Sequence, residues 1–221
     1  MTTSPDADLL AGRDRRGRRP YASPALLRFL AAASLLVGLA AAFYGVAYAV
    51  NGATRAGAPV AVFVRISDLG RLQIHQATSA RYWLQAGTGQ VTLHASGSTV
   101  AEWLASRGGG AVVGLCLGFG AVLLRRLLLS IGCGQPFRRG NAARIAGIAG
   151  LIAVATLAAG VLPYVAARLV LDRLGLGGPG SPVIAHLAIS PVPLLLALFL
   201  LAVAEAFRRG AELAEDADGL V

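Results

Sequence analysis

Four apolar stretches, each nearly free of charge, constrain this chain more than anything else in it: Leu26–Val50, Gly108–Leu124, Ala142–Leu171 and a stretch within Val183–Phe207. A hydrocarbon layer about 30 Å thick is crossed by about 20 apolar residues in a helix. Inside that layer only helices and closed barrels satisfy every backbone N–H and C=O. The expected fold is therefore an all-α membrane protein with four transmembrane helices. Composition agrees, since 56% of residues are hydrophobic and only 14% charged, against roughly 45–50% and 25% in ordinary globular domains.

The divisions that follow are a basic cytoplasmic tail (1–25), helix 1 (26–50), an extracytoplasmic segment with short strands (51–103), helix 2 (104–131) and a cytoplasmic loop (132–141). Helix 3 (142–171), an external Gly/Pro loop (172–182), helix 4 (183–209) and an acidic cytoplasmic tail (210–221) complete the chain. Helix 1 follows an arginine-rich start, and Ala47-Tyr48-Ala49 mimics a signal cleavage site. Signal cores run about 7–15 residues, so this longer run reads as an uncleaved span. Ser190-Pro191 and Pro193 leave the start of helix 4 open, with Pro191 suited to a first helical position. Pro163 is expected to kink helix 3.

The net charge of +9 comes from arginine alone, the chain having no lysine. That habit, with abundant Ala and Gly, is one of GC-rich bacterial genomes and points to a bacterial plasma (inner) membrane. The arginines flank the apolar blocks, so they read as topogenic charge, and no direct nucleic-acid binding is expected. Arg13, Arg15, Arg16, Arg18, Arg19, Arg125, Arg126, Arg138, Arg139, Arg144, Arg208 and Arg209 fall on one side. Arg55, Arg65, Arg71, Arg81, Arg107 and Arg173 fall on the other, mostly within a long loop. The positive-inside rule puts both termini in the cytoplasm.

Between helices 1 and 2, Val60–Ile66, Leu72–His75 and Gln90–His94 carry strand signals, with turns at Gly70 and Gly87–Gly89. Two to four such strands are too few for a core of their own and must lean on the helices or a partner. Thr99 and Glu102 form a capping box at the start of helix 2. Gly114 and Gly118 give a G-x-x-x-G face, for packing within the chain or between chains. Cys116 and Cys133 sit on one helix, roughly 25 Å apart, too far for a disulfide within the chain.

Chemistry-bearing residues are sparse. His75, His94 and His186 all fall on the outer side, where they are weak candidates for a metal or pH-sensing site, or plain solvated histidines. Glu205 lies at pairing distance from Arg208 and Arg209, and Arg168 can snorkel. Gly175–Gly180 fits G-x-G-x-x-G, but no strand precedes it, so it reads as a turn. There is no G-x-S-x-G, P-loop or H-E-x-x-H, and no cofactor is implied.

The loop after helix 2 reads Gly134-Gln135-Pro136-Phe137-Arg138-Arg139-Gly140-Asn141-Ala142-Ala143-Arg144, and helix 4 ends Phe207-Arg208-Arg209-Gly210-Ala211-Glu212-Leu213. This pairing resembles the bacterial membrane family catalogued as domain of unknown function 2975. That family has four predicted spans, a G-x-P-F-x-x-x-N-x-x-R loop and an F-x-x-G-x-x-L ending. The residues carried over are Gly134, Pro136, Phe137, Asn141 and Arg144, with Phe207, Gly210 and Leu213. The resemblance implies no activity, only an association with small helix-turn-helix regulators as cytosolic partners. The tail departs from the family's acidic-Leu-Thr-Val ending, finishing Asp218-Gly219-Leu220-Val221.

Read physically, Gly134 ends helix 2 and Pro136 keeps Gln135 out of helix. Asn141 suits an N-cap that accepts the Arg144 backbone N–H, and Phe137 an interfacial anchor. Arg138 and Arg139 are expected to meet Glu212, Glu215, Asp216 and Asp218 in a weak latch, since exposed pairs contribute about 0–1 kcal/mol each. Three function classes follow. The first is a non-enzymatic accessory or regulatory protein contacting a cytosolic partner; the others are a small transporter or channel component, and a membrane enzyme or metal sensor using the outer histidines. No charge sits at the centre of a span, which speaks against the second.

Overall fold

A computed structural model describes residues 23–54, 57–66, 81–86, 91–138, 140–178, 180–181 and 183–218. Four helices carry the chain: α1 (Pro24–Ala53), α2 (Val100–Gly132), α3 (Gly140–Leu174) and α4 (Pro191–Asp218). Strands β1 (Val60–Ile66), β2 (Tyr82–Ala86) and β3 (Val91–Ala95) lie between α1 and α2, and β4 (Val183–Ala185) precedes α4. All four helices hold a stretch long and apolar enough to cross a membrane, yet only 11–17% of each apolar window is buried within the protein. Phe43 is 79% and Phe199 64% exposed. Side chains of that kind are covered by hydrocarbon in a membrane, and the chain is a multi-pass membrane protein.

Each helix start has a local cause. Ser23 accepts the Leu26 N–H at 3.2 Å ahead of Pro24, which fits the first turn because its missing N–H is not needed there. Thr99 and Glu102 make both bonds of the capping box at the start of α2. Residues 183–190, included above in helix 4 with its start left open, form β4 and an irregular lead into Pro191. A proline disfavours α conformation in the residue before it, so the helix starts at Pro191. Helix α3 continues through Pro163.

The helices pack in chain order, α1 on α2, α2 on α3 and α3 on α4. Small residues bring α1 and α2 together. A Cβ on Gly114 would lie 2.5 Å from the Ala41 carbonyl oxygen and 3.2 Å from the Gly45 Cα, and one on Gly118 would meet the Ala42 Cβ at 3.0 Å. The G-x-x-x-G face therefore serves packing within the chain.

At the opposite end from the α2–α3 loop, the strands pair antiparallel in the order β2-β3-β1-β4. Strand β4, which like β2 was not anticipated from the sequence, comes from the α3–α4 connection and pairs with β1 at the sheet's edge. Of the anticipated strands, Leu72–His75 falls outside the described residues. Val60, Val62, Val64, Leu93, Ala95 and Val183 bury one face on Trp103, Ala105, Ala166, Ala167, Val170 and Leu171 of α2 and α3. The sheet thus borrows its core from the helices, as its small size requires. Arg173 ties the corner: its Nε donates to the buried Glu102 Oε1 at 2.6 Å and its Nη1 to the Ser96 carbonyl at 3.0 Å. Arg107 lies over the Tyr48 and Trp103 rings at 4.2 and 4.5 Å, joining α1 to α2.

Candidate functional site

The described residues of both motif stretches meet at one end of the helices, where α2 ends, α3 begins and α4 leaves the apolar layer. Gly134 takes φ +76°, left-handed backbone that a side chain would strain. Its N–H donates to the Ile131 carbonyl at 2.9 Å and the Gln135 N–H to the Ser130 carbonyl at 3.2 Å. These two bonds close the α2 carboxyl end as a Schellman motif. The chain then turns through Pro136 and Phe137, and the Asn141 N–H donates to the Arg138 carbonyl at 2.9 Å.

Asn141 is the hub of this turn and is fully buried. Its Nδ2 donates to the Pro136 carbonyl at 2.8 Å, to the Ser130 Oγ at 3.1 Å and to the Gln135 carbonyl at 3.3 Å. Its Oδ1 accepts from the Arg144 Nη1 at 2.8 Å, which also donates to the Arg126 carbonyl at 3.2 Å. The expected N-cap role is thus corrected. Helix α3 already begins at Gly140, and Asn141 spends its amide on the carbonyls that Pro136 and the turn leave without helical donors. Arg144 meets the Asn141 oxygen through its guanidinium, not its backbone N–H.

The turn docks on α4 through Phe137, whose ring lies 5.6 Å from that of Phe207 at 42°. Gly210 makes room for it, since a Cβ there would fall 2.8 Å from Phe137 Cδ1 and Cε1. Leu213, one turn on, is 69% exposed, and Phe137 keeps 48% of its surface exposed. The tail expected from residue 210 onward is helical as far as Asp218. Glu205 accepts from Arg208 Nη2 at 2.7 Å and Arg209 Nε at 2.8 Å, and Glu212 accepts from Arg208 Nη1 at 2.6 Å. Glu205 thus pairs with Arg208 and Arg209 as its spacing implied, whereas the expected pairing of Arg138 with Glu212 is corrected: Glu212 finds its arginine one turn back on the same helix, where i,i+4 spacing already brings them together. Arg139 lies outside the described residues.

Sequence reasoning missed Ser130, which is buried and also donates to the Gln135 carbonyl at 3.1 Å. A lone hydroxyl in the last turn of an apolar block was the available signal. The arrangement is a saturated hydrogen-bond hub under an aromatic clasp. It can hold a loop in one shape and present it, while every polar atom at its centre already has a partner.

His94 and His186 lie apart from this turn. His94 stacks flat on Trp83 at 4.8 Å. His186 edges a pocket of about 250 Å³ with Phe63, Gly160 and Pro163. His75 lies outside the described residues. Among the described residues no three His, Cys, Asp or Glu side chains gather as a metal site would require.

Residues 102–221, more than half of the chain, match the family model described as protein of unknown function (DUF2975). The match runs from α2 through α4 and contains both motif stretches. No curated protein and no solved structure matches the chain.

Proposed function

The chain belongs to the DUF2975 family, and from that premise we propose that it is a non-enzymatic accessory or regulatory protein of a bacterial plasma membrane, which engages a cytosolic partner through the α2–α3 loop and the end of α4. One observation carries this reading: the motif residues spend themselves on fixing a surface. Asn141, Arg144 and Gly134 shape the loop, while Phe137, Phe207 and Gly210 seat it on α4. Beside this seat α4 runs on to Asp218, with Leu213, Glu215 and Asp216 exposed. A partner with an apolar patch, such as a small helix-turn-helix regulator, matches a surface of exposed Phe137 and Leu213 bordered by charges of both signs.

This reading needs the loop end in the cytoplasm, as the arginine distribution argues. Reporter fusions after Gly140 and at Val221 should read cytoplasmic, and one near Gly87 external; a cytoplasmic signal at Gly87 would remove the basis of the proposal. The partner itself is tested with photo-crosslinkers at Phe137 and Leu213 in the native host. Both positions should capture the same protein, and truncation after Gly210 should abolish capture at Phe137 with membrane insertion retained. Capture at Phe137 that survives the truncation unchanged would refute the role of α4.

A further inference from the structure

An apolar groove opens between α1, α2 and α3. It encloses about 680 Å³, and its walls are aliphatic, with Leu30 and Val37 from α1, Leu117 and Leu124 from α2, and Ile148 and Leu151 from α3. Along α2 the lining runs from Cys116 to Leu128, about 18 Å at the rise of a helix. That is close to one leaflet of a hydrocarbon layer about 30 Å thick. A helix from a second protein needs a seat along the whole layer, whereas an acyl chain needs one of just this depth.

The groove reaches toward the α2–α3 loop, to Leu128 on α2 and Ile148 on α3, and the charge bordering this mouth is one-sided. Arg125 follows Leu124 on the exposed surface of α2, and Arg144 stands one helical turn before Ile148 on α3. Arg144 is held in place by the Asn141 Oδ1 and the Arg126 carbonyl. Neither α1, nor α2 beyond Glu102, nor α3 before Asp172 contains an acidic residue. Among the described residues, the cations at the mouth therefore face no carboxylate from the three helices that form it.

We propose that the groove holds one acyl chain of an anionic phospholipid from the loop-side leaflet, with its phosphate on Arg125 and Arg144. The chain fills the aliphatic trough down to Cys116, and the headgroup sits where arginine side chains reach the membrane surface.

The test is native mass spectrometry of the full chain in detergent, after lipid removal and titration with phosphatidylglycerol or phosphatidylcholine of identical acyl chains. One phosphatidylglycerol should persist at collision energies that strip phosphatidylcholine. Gly120→Leu should lower its retention about tenfold by filling the trough; a Cβ at Gly120 meets only Leu151 Cδ1, at 3.9 Å, so the helix itself is not displaced. Arg125→Gln should lower the preference for phosphatidylglycerol about fivefold. Thermal unfolding in lipid-free detergent should match the parent for both, and Ser34→Leu on the α1 wall replaces Gly120→Leu if that variant does not fold. Equal retention of the two lipids by the parent protein, or unchanged retention in the variants, overturns the proposal. So does a dimer that Gly120→Leu converts to monomer, since a second copy would then be the occupant.

Discussion

Replacing Asn141 by aspartate tests the hub with almost no change of shape. The amide nitrogen now reaches three oxygens, on Pro136, Ser130 and Gln135, at 2.8, 3.1 and 3.3 Å. An ionised carboxylate would aim a second oxygen at the same three. Two N–H donations vanish, each worth about 1 kcal/mol net, and at least one buried carbonyl is left bare at a further cost of about 1–3 kcal/mol. Against this, the Arg144 Nη1 contact at 2.8 Å becomes charge-assisted, which roughly doubles a bond of about 1 kcal/mol. The Ser130 hydroxyl can also turn from the Gln135 carbonyl to the new oxygen. The balance is a loss of about 2–4 kcal/mol. For a chain of this length that lowers the melting temperature by about 4–16 °C, read by thermal unfolding in mild detergent. Asn141→Asp combined with Arg144→Ala should lose more than the two changes summed, because the arginine partly neutralises the misplaced charge. A melting temperature within about 2 °C of the parent for Asn141→Asp would refute the assignment of Asn141 as a donor to the loop.

Gly114→Val should destabilise by about 1–3 kcal/mol through overpacking against Ala41, whereas Gly150→Ala, with nothing within 4 Å of its Cβ, should be neutral or stabilising by up to about 1 kcal/mol; the pair is compared by thermal unfolding. Glu102→Ala should cost about 3 kcal/mol by stranding Arg173 beside the sheet core, and limited proteolysis should then cut near Gly97 faster than in the parent. Gly210→Leu should push Phe137 off Phe207, leaving insertion intact but lowering partner crosslinking at Phe137 several-fold; crosslinking at the parent level would mean that the clasp is not part of the surface.

The helices were legible because lipid writes its demand into the sequence as length and freedom from charge, and both survive any rearrangement of neighbours. Helix starts were legible where a cap is local, as at Thr99 and Glu102. What escaped was set by contacts distant along the chain. Val183–Ala185 is a strand because β1 offers it an edge, with Val64 opposite Ala185 and Ile66 opposite Val183, and three apolar residues beside an apolar block cannot announce that. Asn141 was read as the N-cap of the helix that follows, whereas its amide nitrogen bonds the turn that precedes it. The N-cap rule counts only the helix that follows, and here the stronger claim on the amide came from the Pro136 carbonyl before it. The latch was misjudged at Glu212 for a related reason: it was paired across the loop with Arg138 although Arg208 stands one turn back on its own helix.

These differences bear on what the motif is for. An Asn serving only as a helix cap could be exchanged for Ser or Asp, which cap equally well. An Asn that must donate to the Pro136 carbonyl and accept from Arg144 has no such substitute, because neither side chain offers both groups at that reach. Gly210 is constrained likewise, by the ring of Phe137 and not by helix propensity, which would favour almost any other residue at that place. Stability alone does not require a loop fixed so tightly, since the helices it joins already pack on each other, and α4 on α3. The rigidity is spent on Phe137, held half-exposed against Phe207 at the edge of the apolar layer. A rigid aromatic presented beside an exposed Leu213 and a charged helix end lowers the ordering entropy a partner must overcome, and that is the physical case for looking for function at this end of the molecule.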